Sequence, residues 1–298
     1  MLTEKTRETI SRAYGSRDEL YGSPYGKTRG ELREDAMRMA DEALATGKSM
    51  ISVRADIFEY LLRNGRVGVP EEGFADACDC EGILTELRWK RVSGFMTPRL
   101  EELNREISPM REDRFVAAEY DFGHLCPDWR AIIGLGFTGM ADRVREYAGK
   151  NADPSKRDFY TAAEKCWRAV AELARRLSMA AEKVGREDVR EDMLNLSRRE
   201  PRTFREGLAL LILTFRVFEY IDGERTRSLG GLDRQLIGLY RADIARGVSQ
   251  EELGCYLAVF LWQCWSMKVP YDLPMYLAGQ NADGSDASNE LTGRIIDV

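Results

Sequence analysis

The chain has 298 residues, 44% of them hydrophobic, with 44 Lys and Arg against 50 Asp and Glu for a formal charge of −6. Such a composition fills the core of one large domain or two ordinary ones and excludes a disordered polymer. Basic and acidic residues are interleaved, leaving no basic stripe for a phosphate backbone, so nucleic acid is not an expected partner.

The opening residues, Met1 to Arg7, contain no apolar run of the kind a secretion signal carries. The most apolar later run, 254–265, falls short of the roughly 20 residues a bilayer requires. A cytoplasmic protein without membrane attachment is expected.

Thr28-x-x-Glu31 is the first helix start, pairing a hydroxyl with a carboxylate three residues on to satisfy reciprocal N–H groups. Cys78-Asp-Cys80 follows and reads as two reduced thiols in a loop. The six cysteines are scattered and the chain holds one histidine, so no zinc-type ligand set is expected. That histidine, His124, lies between Gly123 and Pro127, which places it on a loop. An imidazole there can hold or protonate a substrate hydroxyl, or bond to backbone. No Gly-x-Ser-x-Gly elbow exists to make it part of a hydrolase triad.

Gly134-Leu-Gly136-Phe-Thr-Gly139 satisfies the dinucleotide pattern G-x-G-x-x-G, but the buried strand before it and the acidic residue ending a second strand are missing. These glycines are read instead as permitting close packing at a helix junction. Asp153-Pro154 opens a long helix to about Val184, with Glu164/Arg168 and Glu172/Arg176 paired along its exposed side. Thr203-x-x-Glu206 and Ser249-x-x-Glu252 start two more helices, whose runs 208–218 and 256–265 are apolar all round and belong to an interior.

Between those two helices, 224–235 forms a connection in which Gly230-Gly231 permits a tight turn and Asp233 faces the N–H groups of a helix start. The segment 272–278 (Asp-Leu-Pro-Met-Tyr-Leu-Ala) reads as a buried strand, bounded by Pro270 and a turn at 281–284. Asp286 is placed to cap a last helix carrying Leu291, Ile295 and Ile296. No Gly, Asn or basic turn closes that helix, so a longer protein is expected. The chain is therefore predominantly α-helical with one or two strands.

Four stretches together resemble the N-terminal portion of the glycyl radical enzymes, the family of pyruvate formate-lyase, and its dehydratase and decarboxylase members most. They are Gly123-His124-x-x-Pro127-Asp128 with the glycine-spaced helix after it, and Pro201-Arg-Thr-Phe-x-Glu206-Gly-Leu. They continue with Ser228-Leu-Gly230-Gly-Leu-Asp233 followed by Leu239-Tyr240-x-x-Asp243-Ile, and with the run from Gly279 through Asp283, Asp286 and Asn289 to Leu291. The likeness is good over 97–298 and loose over 1–96.

The resemblance implies an α/β fold, a ten-stranded barrel wrapped by helices, to which this chain gives the helical N-terminal shell and the first strand or so. It implies a lyase or dehydratase of anaerobic metabolism acting on a small hydroxylated or carboxylated molecule, with His124 and Ser228 holding substrate hydroxyls. It also implies no directly bound cofactor, a radical S-adenosylmethionine activating enzyme as partner, and a homodimer for the full-length protein. None of the cysteines here sits in the family's Gly-Cys-x-Glu setting, and the radical loop is not in the sequence, so the catalytic cysteine and the glycyl radical are expected in a further segment and this chain alone is expected to be inactive. Gly231 stands where the family has Arg, and Arg234 where it has Gln, which puts substrate anchoring by that loop in question. The alternative is a helical scaffold or partner protein descended from the family.

Overall fold

A computed structural model describes residues 4, 8, 26–75, 77–87, 98–113, 115, 125–151, 153–223, 228–267 and 274–298. The capping boxes read from sequence explain where several helices begin. In α1 (Arg29–Ala45) the Thr28 N–H donates to Glu31 Oε2 at 2.8 Å, and the Glu31 N–H donates to Thr28 Oγ1 at 3.3 Å. α2 (Met50–Asn64) packs on α1 with Val53, Ile57, Leu61 and Leu62 buried on one stripe.

The short strands β1 (Val67–Gly68) and β2 (Ala77–Cys78) form an antiparallel pair, followed by α3 (Ile83–Leu87) and α4 (Pro98–Glu112). Cys78 and Cys80 are both free thiols, as expected, but Cys78 lies on β2 and only Cys80 in the turn after it; both are buried in the core, with their Sγ atoms 3.4 Å apart. Contact with the Cys78 sulfur, and then burial, pushes the Cys80 thiol well above its ordinary range.

α5 (Trp129–Lys150) starts where Asp128 Oδ1 accepts the Ala131 N–H at 3.1 Å. The glycine pattern 134–139 lies inside this helix, and the described residues 125–128 before it form no strand. Gly136 has φ 63° and ψ −179°, and a Cβ there would fall 2.7 Å from the Arg199 carbonyl oxygen. The close-packing reading holds for Gly136 and not for Gly134, where a Cβ would meet nothing within 4 Å, and the helix runs through the whole dinucleotide pattern.

A single 3₁₀ turn, Pro154–Lys156, leads into α6 (Arg157–Lys183), which packs on α2, α5 and α7 (Glu187–Leu196). Its buried face is rich in alanine, including Ala162, Ala169, Ala174 and Ala181, which lets neighbouring helices approach closely. Arg168 meets Glu164 at 2.9 Å as expected. The expected Glu172–Arg176 pair does not form: Arg175 takes Glu172, at 2.7 and 2.6 Å. Arg176 instead donates to the carbonyl oxygens of Leu62 and Gly65, both at 2.6 Å, because the carbonyls ending α2 lack partners of their own.

α8 (Phe204–Arg216) is the innermost helix, buried at every position from Glu206 to Arg216, and α5, α7, α9 and α10 pack on it. A π-helical turn, Val217–Asp222, ends it at Gly223 in the left-handed region, φ 76°. α9 (Leu232–Ala245) and α10 (Gln250–Ser266) complete its cover. α10 departs from the all-round burial expected: Leu253, Leu257, Phe260 and Cys264 form one buried stripe, while Trp265 is 73% exposed.

The expected buried strand 272–278 shrinks to β4 (Met275–Tyr276), parallel to β3 (Gly230–Gly231), with Tyr276 exposed; 271–273 lie outside the described residues. It stops because Ala278 turns to φ 54° and spends its N–H on Asp233 rather than on a neighbouring strand. α11 (Glu290–Asp297) is capped by Asn289, not by Asp286. Asn289 Oδ1 accepts the N–H groups of Leu291 and Thr292 at 2.9 and 3.3 Å, and Thr292 Oγ1 accepts the Asn289 N–H at 2.9 Å. Asp286 instead closes a turn on the Ser288 N–H at 2.9 Å. Ile296 is exposed while Leu291 is buried.

The result is mostly helical with few strands, as expected. Among the described residues no helix is long and apolar enough to cross a membrane.

Candidate functional site

Of the two residues singled out to hold substrate, His124 lies outside the described residues. The chain that follows it, 125–128, runs into Trp129 at the head of α5, and the Trp129 indole N–H donates to the Ser228 carbonyl oxygen at 2.8 Å. Ser228 is buried, and its hydroxyl organises the turn in which it sits: Oγ accepts the Gly230 N–H at 2.7 Å and donates to the Pro274 carbonyl oxygen at 3.1 Å. A serine hydroxyl has one donor and two acceptor positions. One lone pair is left after these two bonds.

The glycines after Ser228 are more than a loop. Gly230, at φ 67°, and Gly231 make the strand β3, and the Leu229 N–H adds a bond of 3.2 Å to the Pro274 carbonyl. A Cβ on Gly230 would stand 2.4 Å from Gln235 Nε2 and 3.3 Å from the Trp129 ring, so the turn is closed over by both side chains. A Cβ on Gly231 would fall 3.0 Å from both Nε and Nη2 of Arg234. The Arg234 guanidinium thus occupies the space beside residue 231, the position where sequence comparison of motifs expects an arginine.

Asp233 holds the turn from below. It is fully buried, and its Oδ2 accepts the Ala278 N–H at 2.8 Å and the Thr292 hydroxyl at 2.5 Å, while Oδ1 accepts the Arg234 N–H at 2.8 Å. One carboxylate therefore ties the Ser228 turn, the end of β4 and the start of α11 together. The sequence places Asp233 at a helix start and in the resemblance stretch; its apolar flanks, Leu229, Leu232 and Leu236, are the signal that it is buried.

The Thr203 and Asp243 motifs meet elsewhere, where the start of α8 packs on the C-terminal half of α9. Thr203 caps α8 by accepting the Glu206 N–H at 3.0 Å, but the Glu206 carboxylate does more than return the favour. It accepts Arg199 Nη1 and Nη2, each at 2.9 Å, Asn195 Nδ2 at 2.9 Å and the Arg202 N–H at 2.7 Å. Burial works to raise the Glu206 carboxyl, yet the Arg199 fork and the Arg202 N–H hold it below its ordinary value. Phe204 stacks edge-on against Tyr240 with centroids 5.5 Å apart, and its N–H donates to Asp243 Oδ2 at 2.7 Å. Gly207 lets α9 sit directly on α8, since a Cβ there would meet Leu239 Cδ1 at 2.7 Å. These residues position α8 and α9, and through α9 the Ser228 turn; sequence spacing named them without revealing that they touch.

None of the six cysteines takes a place in the turn. Cys126 is exposed, and burial pushes the Cys166 thiol up to about 12, far from the thiolate character of a reactive sulfur.

The pyruvate formate lyase-like family matches residues 89–298. No curated protein matches the sequence. Among solved structures, the B12-independent glycerol dehydratase of Clostridium butyricum superposes with a TM-score of 0.68 at 14% identity, over 100% of this chain and 45% of that one. A glycyl radical enzyme from Archaeoglobus fulgidus gives 0.71 at 16% identity, over 99% and 46%. The hydroxyproline dehydratase of Clostridioides difficile gives 0.65 at 16% identity, over 99% and 46%. The chain thus spans a little under half the length of these structures.

Proposed function

The chain belongs to the pyruvate formate lyase-like family, and on that premise we propose that it forms the helical shell and part of the substrate pocket of a glycyl radical lyase or dehydratase for a small hydroxylated molecule. In this reading the barrel of ten strands, the reactive cysteine and the radical glycine belong to a further segment, β3 and β4 being the chain's share of the sheet. Once installed by an S-adenosylmethionine-dependent activating enzyme, the radical would supply abstraction of a hydrogen atom from substrate carbon, a neighbouring hydroxyl then being protonated and lost as water and the hydrogen atom returned to the product.

What this chain adds is orientation. The Ser228 turn supports the reading most directly: it is clamped by Trp129, Pro274 and Asp233, and its hydroxyl keeps one lone pair able to accept from a substrate hydroxyl. Arg234 offers a cation beside Gly231, suited to a polar or anionic substituent. His124, on the strand of chain leading to Trp129, is assigned the second hydroxyl contact.

The test is turnover by the full-length activated protein with glycerol, 1,2-propanediol and trans-4-hydroxy-L-proline as trial substrates. Ser228→Ala is expected to raise KM about tenfold, the cost of one hydrogen bond to a desolvated hydroxyl. Trp129→Phe keeps an aromatic ring but drops the bond to the Ser228 carbonyl and part of the buried ring volume, so it reports turn loosening separately. Absence of turnover on any hydroxylated substrate, or an unchanged KM in Ser228→Ala, would leave the scaffold reading in its place.

A further inference from the structure

Arg234 differs from the arginines around it. Seven residues further along the exposed side of α9, Arg241 meets both oxygens of Glu290 at 2.5 and 2.7 Å. At the head of α8, Arg199 forks onto Glu206. The Arg234 side chain is exposed, and among the described residues neither a carboxylate nor a carbonyl oxygen pairs with its guanidinium. The neighbouring Asp233 carboxylate is turned inward, fully buried on the Ala278 N–H and the Thr292 hydroxyl. Arg234 also lies in the first turn of α9, where the helix dipole favours an anion and disfavours a second positive charge.

Two absent side chains make room for this cation. Its Nε and Nη2 lie 3.0 Å from where a Cβ on Gly231 would stand, and its Nη1 lies 4.0 Å from where one on Gly279 would stand. The guanidinium therefore reaches from the end of β3 to the chain just after β4, over two residues with no side chain to cover it. β3 and β4 run parallel, so this is the carboxyl end of a parallel strand pair, the end at which sheets and barrels of this kind take their ligands.

A second unmet group stands at the next residue. Gln235 lays its carboxamide over Gly230, and its Oε1 is shut from solvent with no donor among the described residues. A buried acceptor without a donor is destabilising, and a ligand hydroxyl is one group that supplies it. Ser228 Oγ keeps one lone pair for the same purpose. One end of the strand pair thus carries two acceptors without donors and one donor fork without an acceptor. A guanidinium fork matches the two oxygens of a planar carboxylate, and a single cation balances a monoanion where a phosphate dianion would leave charge over.

Resting on the lyase reading above, we propose that the substrate is a hydroxy acid whose carboxylate is held by Arg234, with its hydroxyl toward Ser228 and Gln235. Two pairs of compounds isolate the carboxylate: glycerate against glycerol, and trans-4-hydroxy-L-proline against 3-hydroxypyrrolidine. With the full-length activated protein, kcat/KM for the acid of at least one pair is expected to exceed that of its neutral counterpart at least tenfold. Arg234→Gln, which places the motif's own residue there, is expected to lower that ratio at least tenfold, and Arg234→Lys to recover part of it. Arg241→Gln is expected to keep the ratio within twofold. Equilibrium dialysis of the two acids with the unactivated full-length protein reads the same contact without turnover.

Preference for the neutral compounds, or an equal ratio in wild type and Arg234→Gln, would overturn the hydroxy-acid assignment and leave the lyase reading standing. Saturable binding of an acid that Arg234→Gln weakens tenfold, without turnover of any compound, would support the carboxylate site and count against the lyase reading. Absence of saturable binding of both acids would overturn the proposal. So would acid binding unchanged in Arg234→Gln together with a lowered Tm, which would assign the guanidinium to a carboxylate of the protein itself.

Discussion

Replacing Gly136 by alanine is expected to cost about 3 kcal/mol or more, a large part of the stability of an ordinary domain. Two independent penalties combine. At φ 63° and ψ −179° the backbone occupies a region that only glycine enters freely. The added Cβ would also stand 2.7 Å from the Arg199 carbonyl oxygen and 2.8 Å from Glu200 Cα, and both are backbone atoms that cannot swing away. Gly134→Ala, two residues earlier in the same helix, meets nothing within 4 Å and should be neutral or slightly stabilising, since alanine favours helix over glycine. Urea unfolding of the two variants checks the contrast. Equal stability would mean that α5 does not press on the 199–200 backbone as described.

The second large effect is on the other side of that contact. Arg199→Leu is expected to cost about 3–5 kcal/mol, because it leaves the buried Glu206 carboxylate without its guanidinium partner. Glu206→Gln should cost less, since it keeps a neutral acceptor for the Arg202 N–H and leaves Arg199, which is a quarter exposed, to find water. The pH dependence follows from the direction of the shift. The Glu206 carboxyl is held lower in the folded chain than in the unfolded one, so its contribution is complete above the ordinary glutamate value of 4.5 and is lost as pH falls below it. Urea midpoints measured from pH 7 down to pH 3 should therefore fall more steeply for the wild type than for Glu206→Gln. Parallel acid limbs would show that Glu206 is not held by its partners in the way the geometry implies.

Local chemistry was legible in the sequence wherever a short-range rule decides the outcome. The boxes at Thr28, Thr203 and Ser249 start helices, Asp153-Pro154 opens α6, and of the glycines 134–139 Gly136 marks close packing. Misreadings arose where a tertiary partner outbid a local one. Asp286 lost the α11 cap to Asn289, whose hydroxyl partner Thr292 also answers to Asp233. Arg176 left Glu172 for the orphaned carbonyls of α2, which no spacing rule along α6 can see. The strand 272–278 was cut short because Asp233, some forty residues earlier, claims the Ala278 N–H. The same limit applies to the site: motif spacing named Ser228, Asp233, Glu206 and Asp243, but that Trp129 and Arg234 close over the turn follows only from three-dimensional placement.

In the proposed function this chain orients substrate and another segment carries the unpaired electron. Electron paramagnetic resonance of the 298-residue chain, incubated without oxygen with an S-adenosylmethionine-dependent activating enzyme, S-adenosylmethionine and a reductant, tests that division directly. The spectrum is expected to lack the doublet of a glycyl radical, and the doublet should appear when the segment completing the barrel is supplied. A doublet generated on the 298 residues by themselves would contradict the account.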